Sequence, residues 1–333
     1  MDTTYVILAI VVILALGFDF INGFHDTVNA IATTVSTRAL KPRIAIMLAA
    51  TMNLVGALTF TGVAKTIGGK VADPMTLQHG EQIVIAALIS AILWNLLTWA
   101  LGIPSSSSHT LIGSLAGAVI SAEGFDGINA GGFTSIVQGL ILSPIIAFSI
   151  GFVVMWLFKV IFANQSPHQL NKGFRTGQIL TAALQSFAHG TNDAQKAMGI
   201  IVFALMSANI QETDNVPLWV KLSAAVAMAL GTSIGGWKII KTMGTKIFKI
   251  EPINGFAADI TSFGVIMTAT ITKFPVSSTH VITSAILGVG SAKRFSSVKW
   301  GVAGKIVVSW IITIPISMVV AAGVFQVIKF LFL

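Results

Sequence analysis

A polar motif that apolar sequence ordinarily excludes occurs twice in this chain. Asn22-Gly23-Phe24-His25-Asp26 in the first half returns as His189-Gly190-Thr191-Asn192-Asp193 in the second, and Pro104-Ser105-Ser106-Ser107-Ser108-His109 returns as Pro275-Val276-Ser277-Ser278-Thr279-His280. The order is the same, and the copies lie 167 and 171 residues apart. Both motifs sit in strongly apolar stretches, where a carboxylate or a serine cluster is costly and marks a functional site by default. Duplication of the whole arrangement points to two halves closing around one polar site.

The surrounding sequence sets the class. Of 333 residues, 54% are hydrophobic and only 10% charged, whereas soluble domains carry roughly 25% charged residues. Ten apolar segments can be drawn, at about 5–37, 41–66, 82–102, 108–122, 134–160, 177–207, 217–243, 253–273, 277–291 and 300–328. Several reach the roughly 20 residues that cross a hydrocarbon core. The chain therefore reads as an all-α polytopic membrane protein. It has no cysteine, which excludes disulfides and thiolate metal sites. Met1-Asp2-Thr3-Thr4 lacks a basic n-region, so the first segment reads as a permanent span and not a cleaved leader. The net charge of +8 resides in short loops, which argues against nucleic-acid binding.

Charge alternates from loop to loop. Arg38, Lys41 and Arg43 follow segment 1; Lys159, Lys172 and Arg175 flank the central loop. Lys238, Lys241, Lys246 and Lys249 lie around the 7–8 connection, and Lys293, Arg294 and Lys299 lie between segments 9 and 10. The opposite loops hold Asp73, Glu81, Glu123, Asp126, Glu212 and Asp214. The positive-inside rule places the basic set in the cytoplasm and both termini outside. Five segments per repeat is an odd number, so the second half must enter from the opposite face. This gives two inverted-topology repeats, residues 1–163 and 175–333, joined by a short cytoplasmic linker at 164–174. Segments 1 and 6 are too long for one straight span and carry Gly17, Asn22 and Gly23, or Gly190, Thr191 and Asn192. That clustering predicts helices broken near mid-membrane. Segments 4 and 9 are short and begin at Pro-Ser-Ser, the mark of re-entrant helices lining an enclosed polar cavity.

The motifs carry distinct chemistry. A proline followed by hydroxyl residues makes a helix N-terminus with free backbone N–H groups, which binds tetrahedral oxyanions. Ser105, Ser106, Ser107, Ser108 and Thr110, with Ser277, Ser278 and Thr279, would present two such termini to an ion such as phosphate or sulfate. A single membrane serine more often bonds its own helix or a neighbour; two matched runs favour the site. Asp26 and Asp193 need a partner or a proton at that depth. An anion site that contains carboxylates also needs a cation. Asp26, Asp193, Asn22, Asn29 and Asn192 offer hard oxygen ligands for Na+, for proton-linked chemistry or for Mg2+; Asp26 and Asp193 are the candidate metal ligands. The bland alternative for Asp193 is an ion pair with Lys196, three residues on. Asp19 and Asp259 are further intramembrane carboxylates, and His109 and His280 would orient a hydroxyl, carry a proton or cap a turn. Gly231-Thr232-Ser233-Ile234-Gly235 fits a hydrolase pattern but lacks the strand before it, and reads better, like Gly113 to Gly117, as close helix packing. No nucleotide-binding loop occurs. The expectation is a non-enzyme without a resident cofactor.

Taken together, these residues resemble the inorganic phosphate transporter (PiT) family over essentially the full length. The family's repeated Gly-Ala-Asn-Asp-x-Ala-Asn motif is matched by Gly23-Phe24-His25-Asp26-Thr27-Val28-Asn29 and by Gly190-Thr191-Asn192-Asp193-Ala194-Gln195-Lys196. Its Pro-Ser-Ser/Thr-x-His-type runs are matched at Pro104 and Pro275. The resemblance implies a multi-pass plasma-membrane symporter, a homodimer in the lipid bilayer, that imports inorganic phosphate with Na+ or H+, or as a complex with Mg2+. A sulfate symporter on the same fold is the alternative. It implies that Asp26 and Asp193 belong to the coupling and substrate site, that Ser105 to Ser108 and Ser277 to Thr279 cradle the anion, and that Asp259 takes a place where many members carry Glu. His25 replaces the usual Asn, and Lys196 stands where the first copy has Asn29. Two other classes make different demands: an intramembrane serine hydrolase would react with a serine-directed probe, and a passive anion channel would show no cation dependence.

Overall fold

The computed structural model describes residues 3–236, 239–240 and 242–332. Lys238 and Lys241 of the basic set, and Met1 and Asp2 of the N-terminal stretch, lie outside the described residues. Among the described residues every regular element is helical. In chain order the α-helices are α1 (Thr3–Ser36), α2 (Pro42–Ala57), α3 (Gly62–Lys70), α4 (Gly80–Leu101), α5 (Ser107–Glu123), α6 (Ala130–Ile161), α7 (Pro167–Ser207), α8 (Leu218–Ile234), α9 (Pro252–Ile271), α10 (Ser278–Arg294) and α11 (Trp300–Phe332). A π-helical turn covers Thr242–Lys246. Within α1, α4, α6 and α11 lie stretches long and apolar enough to cross a membrane.

The polarity of the molecule is inverted relative to a soluble protein. Ile13, Ile145, Ile311, Val319 and Phe330 are exposed, whereas Asp19, His25, Asp193, Asn192 and Gln185 are fully buried. Apolar residues face lipid where hydrocarbon is the solvent, and polar residues collect inside where they satisfy one another. This is a membrane protein.

The same element order appears in both halves. A long helix is followed by an interrupted one, a further long helix, a 17-residue helix, a 3-10 turn and a final long helix. The last helices match to the residue in their interior prolines, Pro144 in α6 and Pro315 in α11. The halves interleave: α1 packs on α8, α2 on α7, α5 on α11 and α6 on α10.

The short α5 and α10 fall where the Pro-Ser-Ser runs predict them. The breaks in segments 1 and 6 do not: α1 and α7 run unbroken through Gly23 and through Gly190, Thr191 and Asn192. The glycines serve contact instead. A methyl group at Gly23 would overlap the Met228 carbonyl oxygen of α8, and one at Gly190 would overlap the Asn53 carbonyl oxygen of α2. Helices approach this closely only where a side chain is missing. The interruption lies in the next segment, between α2 and α3, where the freed Val63 and Ala64 N–H groups donate to Gln195 Oε1 at 2.7 and 3.1 Å. Segment 6 also begins earlier than its apolar run. Because α7 starts at Pro167, most of residues 164–174 is helical.

At one end of the molecule Lys293 pairs with Glu251 at 2.7 Å and Lys159 Nζ donates to the Ala292 carbonyl at 3.1 Å. Elsewhere Lys65 pairs with Asp214 at 2.8 Å, and Glu123 accepts from the Gln78 N–H at 3.1 Å. Two of these contacts, Lys159–Ala292 and Lys65–Asp214, tie the first half to the second.

Candidate functional site

The serine runs are delivered by the same local device in each half. Helix α4 ends on Gly102, in the left-handed region at φ 66°, and the Ile103 N–H bonds back to the Thr98 carbonyl at 2.9 Å. Past α9, Lys273 takes φ 60° and the Phe274 N–H bonds back to the Ala269 carbonyl at 2.7 Å. This stop motif saves the last carbonyls and reverses the chain. Proline follows in each case. Ser106 then caps α5, its Oγ accepting from the His109 N–H at 3.1 Å, and Ser277 caps α10, accepting from the His280 N–H at 3.2 Å. Two helix N-termini, each carrying partial positive charge, are set beside α1 and α7.

There the motifs join in a closed ring of side chains. Ser107 Oγ donates to Asp26 Oδ2 at 3.1 Å and accepts from Lys196 Nζ at 2.8 Å. Lys196 Nζ contacts Asp193 Oδ1 at 2.9 Å. Ser278 Oγ donates to Asp193 Oδ2 at 2.8 Å and accepts from Asn29 Nδ2 at 3.3 Å. Asn29 Nδ2 also donates to Thr279 Oγ1 at 2.9 Å, and Thr279 Oγ1 donates to Asp26 Oδ1 at 3.2 Å, closing the circle. No member is more than 1% exposed. Asn29 Oδ1 is the ring atom left without a hydrogen-bond or ion-pair partner among the described residues.

Two histidines buttress the carboxylates. His25 reaches Asp26 Oδ1 at 2.7 Å through Nδ1 and Thr98 Oγ1 at 3.1 Å through Nε2. His189 reaches Asp193 Oδ2 at 3.0 Å through Nε2 and Asn53 Oδ1 at 3.2 Å through Nδ1. Asp26, His189 and Asp193 offer ligand atoms within 4.8 Å of one another. One and two turns before Asp26 on α1, Asn22 and Asp19 are fully buried.

The expected site residues therefore divide. Asp26, Asn29, Asp193, Ser107, Ser278 and Thr279 share the ring. Ser105 turns away, with its Oγ 3.2 Å from Trp94 Nε1 and 3.2 Å from Thr313 Oγ1. Ser106 and Ser277 are caps, Ser108 donates to the Val276 carbonyl at 2.8 Å, and Thr110 donates back to the Ser106 carbonyl at 2.8 Å. Asn192 Nδ2 donates to Thr270 Oγ1 at 3.2 Å. Asp259 forms a separate cluster, accepting from Thr33 Oγ1 at 2.7 Å and Thr181 Oγ1 at 3.2 Å. The His109 and His280 rings lie 4.3 Å apart, tilted by 42°, and His280 stacks on the Trp310 ring at 3.9 Å. His189 opens the second copy of the motif, and the sequence assigned it no role. His189 precedes Asp193 by four residues, one helical turn, and that spacing is a usable signal.

Comparison with known proteins identifies the family. The sequence pattern of the phosphate transporter family matches residues 22–170 and again residues 163–321. A probable low-affinity inorganic phosphate transporter of Bacillus subtilis (strain 168) is 56% identical over 333 residues, covering 100% of both chains. A protein of the same description from Mycobacterium tuberculosis (strain ATCC 25618 / H37Rv) is 45% identical over 336 residues, covering 99% of this chain and 80% of the relative. A solved structure described as the sodium-dependent phosphate transporter superposes with a TM-score of 0.88 at 26% identity, covering 98% of this chain and 100% of that one. The double match and the full-length relatives leave one assignment: this chain belongs to the phosphate transporter family.

Proposed function

We propose that the chain imports inorganic phosphate across the plasma membrane by symport with a mobile cation, Na+ or H+, with the ring of Asp26, Ser107, Lys196, Asp193, Ser278, Asn29 and Thr279 as the shared substrate and coupling site. The observation that carries this reading is the engagement of the hydroxyls. Ser107, Ser278 and Thr279 all donate to carboxylates. A hydroxyl has one proton to donate, so it cannot serve Asp26 or Asp193 and an oxyanion at once. A cation or proton that takes over the carboxylates frees those protons for the anion. Phosphate therefore binds well only in company with positive charge, and this is symport in its simplest form.

The N-termini of α5 and α10 add backbone N–H groups and dipole charge. Asp19, Asn22, Asn29, Asn192 and the cluster of Asp26, His189 and Asp193 offer oxygen and nitrogen ligands for the cation, and a phosphate-bound Mg2+ would meet the same three groups. Asp259 stands apart and enters the coupling through Thr33 of α1 and Thr181 of α7. The halves 1–163 and 175–333, joined through 164–174, rock against one another so that the ring faces each side in turn. Hydrogen phosphate carries a proton to donate to a carboxylate and sulfate at neutral pH does not, which favours phosphate over sulfate. The descriptions of the relatives point the same way.

Uptake of radiolabelled phosphate and sulfate into proteoliposomes, with Na+ and pH gradients imposed separately, tests the reading. The expected result is phosphate accumulation driven by one of the two gradients and little sulfate uptake. Phosphate equilibration without accumulation under either gradient would leave a channel instead. The mass of the detergent-solubilised particle tests the homodimer implied by the family resemblance.

A further inference from the structure

Six of the seven ring members form three repeat pairs; Thr279 stands alone, because its counterpart Ser108 donates to the Val276 carbonyl instead. Asp26 corresponds to Asp193 and Asn29 to Lys196, each 167 residues later; Ser107 corresponds to Ser278, 171 residues later. Two pairs of contacts correspond as well. Ser107 donates to Asp26 as Ser278 donates to Asp193. Lys196, from the second half, donates to the first-half Ser107 at 2.8 Å; Asn29, from the first half, donates to the second-half Ser278 at 3.3 Å. One structural place is thus filled on one side by a neutral amide and on the other by an ammonium group. The ammonium lies 2.9 Å from a carboxylate and is 1% exposed.

A buried charge is retained only where its surroundings use it, because desolvation opposes it. Here an amide suffices sterically at the equivalent position. The ring carries two carboxylates, and phosphate brings further negative charge. Each half-site therefore needs positive charge when the anion is bound. Lys196 supplies one such charge from the chain itself, between Ser107 and Asp193. Asn29, at the equivalent place, supplies none, so the second charge comes from solution.

We propose that Lys196 is a resident cation of the transport site, permanently filling the role that a mobile coupling cation fills at the Asn29 side. The two half-sites are electrically unequal, and the protein moves one cation fewer per phosphate than the same ring would with asparagine at both places. This inference rests on the phosphate-symport reading above and specifies its stoichiometry. It also assigns Lys196 a role separate from simple pairing with Asp193, which Asn cannot replace by charge but a soluble cation can.

The test is equilibrium binding of radiolabelled phosphate to the purified protein in nanodiscs across a series of Na+ activities and pH values, with choline as the replacement ion. The slope of log affinity against log activity of the coupling cation counts the cations taken up with phosphate. Lys196→Asn is expected to raise that slope by about one, as one more mobile cation is recruited through the same linkage. Lys196→Arg keeps the original slope, because the charge stays. Asn29→Lys, made independently, lowers the slope by about one by the same arithmetic, and it decides the matter alone if Lys196→Asn does not survive purification. An unchanged slope in monodisperse Lys196→Asn overturns the proposal. So does a complete loss of phosphate binding at every cation activity, which would make the ammonium an obligatory anion ligand. Failure of the unsubstituted protein to bind phosphate would overturn the transport reading as well, and that outcome is distinguishable because it appears before any substitution.

Discussion

Four adjacent serines, Ser105 to Ser108, differ in what they touch, and the difference should be measurable. Ser107 Oγ lies between two buried charges, donating to Asp26 Oδ2 at 3.1 Å and accepting from Lys196 Nζ at 2.8 Å. Ser105 Oγ lies between neutral groups, Trp94 Nε1 and Thr313 Oγ1, each at 3.2 Å. A hydrogen bond to a charged group is worth about 1.5–3 kcal/mol and a neutral one about 0.5–1.5 kcal/mol. If the Ser107 hydroxyl turns from Asp26 to a phosphate oxygen on binding, Ser107→Ala removes one charged bond from the bound state. The expected loss is about 10- to 150-fold in phosphate affinity. Ser105→Ala removes only packing bonds remote from the ring, so it lowers stability by about 1–2 kcal/mol while leaving phosphate affinity within a factor of about 3, a shift of less than 0.7 kcal/mol. Initial rates of radiolabelled phosphate uptake into proteoliposomes, as a function of phosphate concentration, give KM for each variant; thermal unfolding in detergent gives the stability. Equal KM changes in the two variants, or an unchanged KM in Ser107→Ala, would refute the division of the serine run.

Further consequences follow from the same contacts. Asp26→Asn removes the acceptor charge that Ser107, Thr279 and His25 all address, so gradient-driven uptake should fall at least 100-fold, about 2.7 kcal/mol, and uptake at the unsubstituted rate would remove Asp26 from the mechanism. Asp193→Asn leaves the Lys196 ammonium buried without its carboxylate, a cost of about 3–5 kcal/mol; the double variant with Lys196→Met should recover much of it in thermal unfolding, and strict additivity of the two costs would contradict the pairing. Gly190→Ala places a methyl 2.7 Å from the Asn53 Cα, which should destabilise the protein by about 1–3 kcal/mol, and an unaltered melting temperature would show that α2 and α7 are not in such close contact. Lys65→Met breaks an exposed pair with Asp214 and should change stability by less than about 1 kcal/mol; a larger effect would mark that end of the molecule as more ordered than its exposure implies.

Much of the arrangement is written in the repeat. Two copies of an aspartate motif and two of a proline–serine motif leave few ways to bring like elements together, and the short helices α5 and α10 begin where those prolines stand. Glycine misleads, because it signals both chain breaks and close helix contact. Gly23 and Gly190 are of the second kind, and only the backbone of α8 or α2 lying against them distinguishes the two. The true interruption after Ala57 is hidden in Leu58-Thr59-Phe60-Thr61, which is apolar and lacks proline. Its cost is met by Gln195, a residue distant in sequence.

The site was legible as a set of motifs but not as a set of contacts. Which serine faces the carboxylates depends on the helical phase at which α5 starts, and a run of four identical residues conceals that phase. Once Ser106 caps the helix, Ser107 is committed to the ring and Ser105 to the Trp94 side. Lys196 stood out in sequence as a departure from its repeat partner, yet its cross-half bond to Ser107 required the interleaving of the two halves to be known. Asp259 matched the depth expected of a coupling residue but belongs to a separate threonine-lined cluster.

The most direct measurement of the central claim is a high-resolution cryo-electron microscopy structure of the protein with phosphate and its coupling cation present. A tetrahedral anion is expected at the N-termini of α5 and α10, within hydrogen-bond distance of Ser107, Ser278 or Thr279, with those hydroxyls released from Asp26 and Asp193. Phosphate bound elsewhere, with the ring of Asp26, Ser107, Lys196, Asp193, Ser278, Asn29 and Thr279 intact, would contradict it.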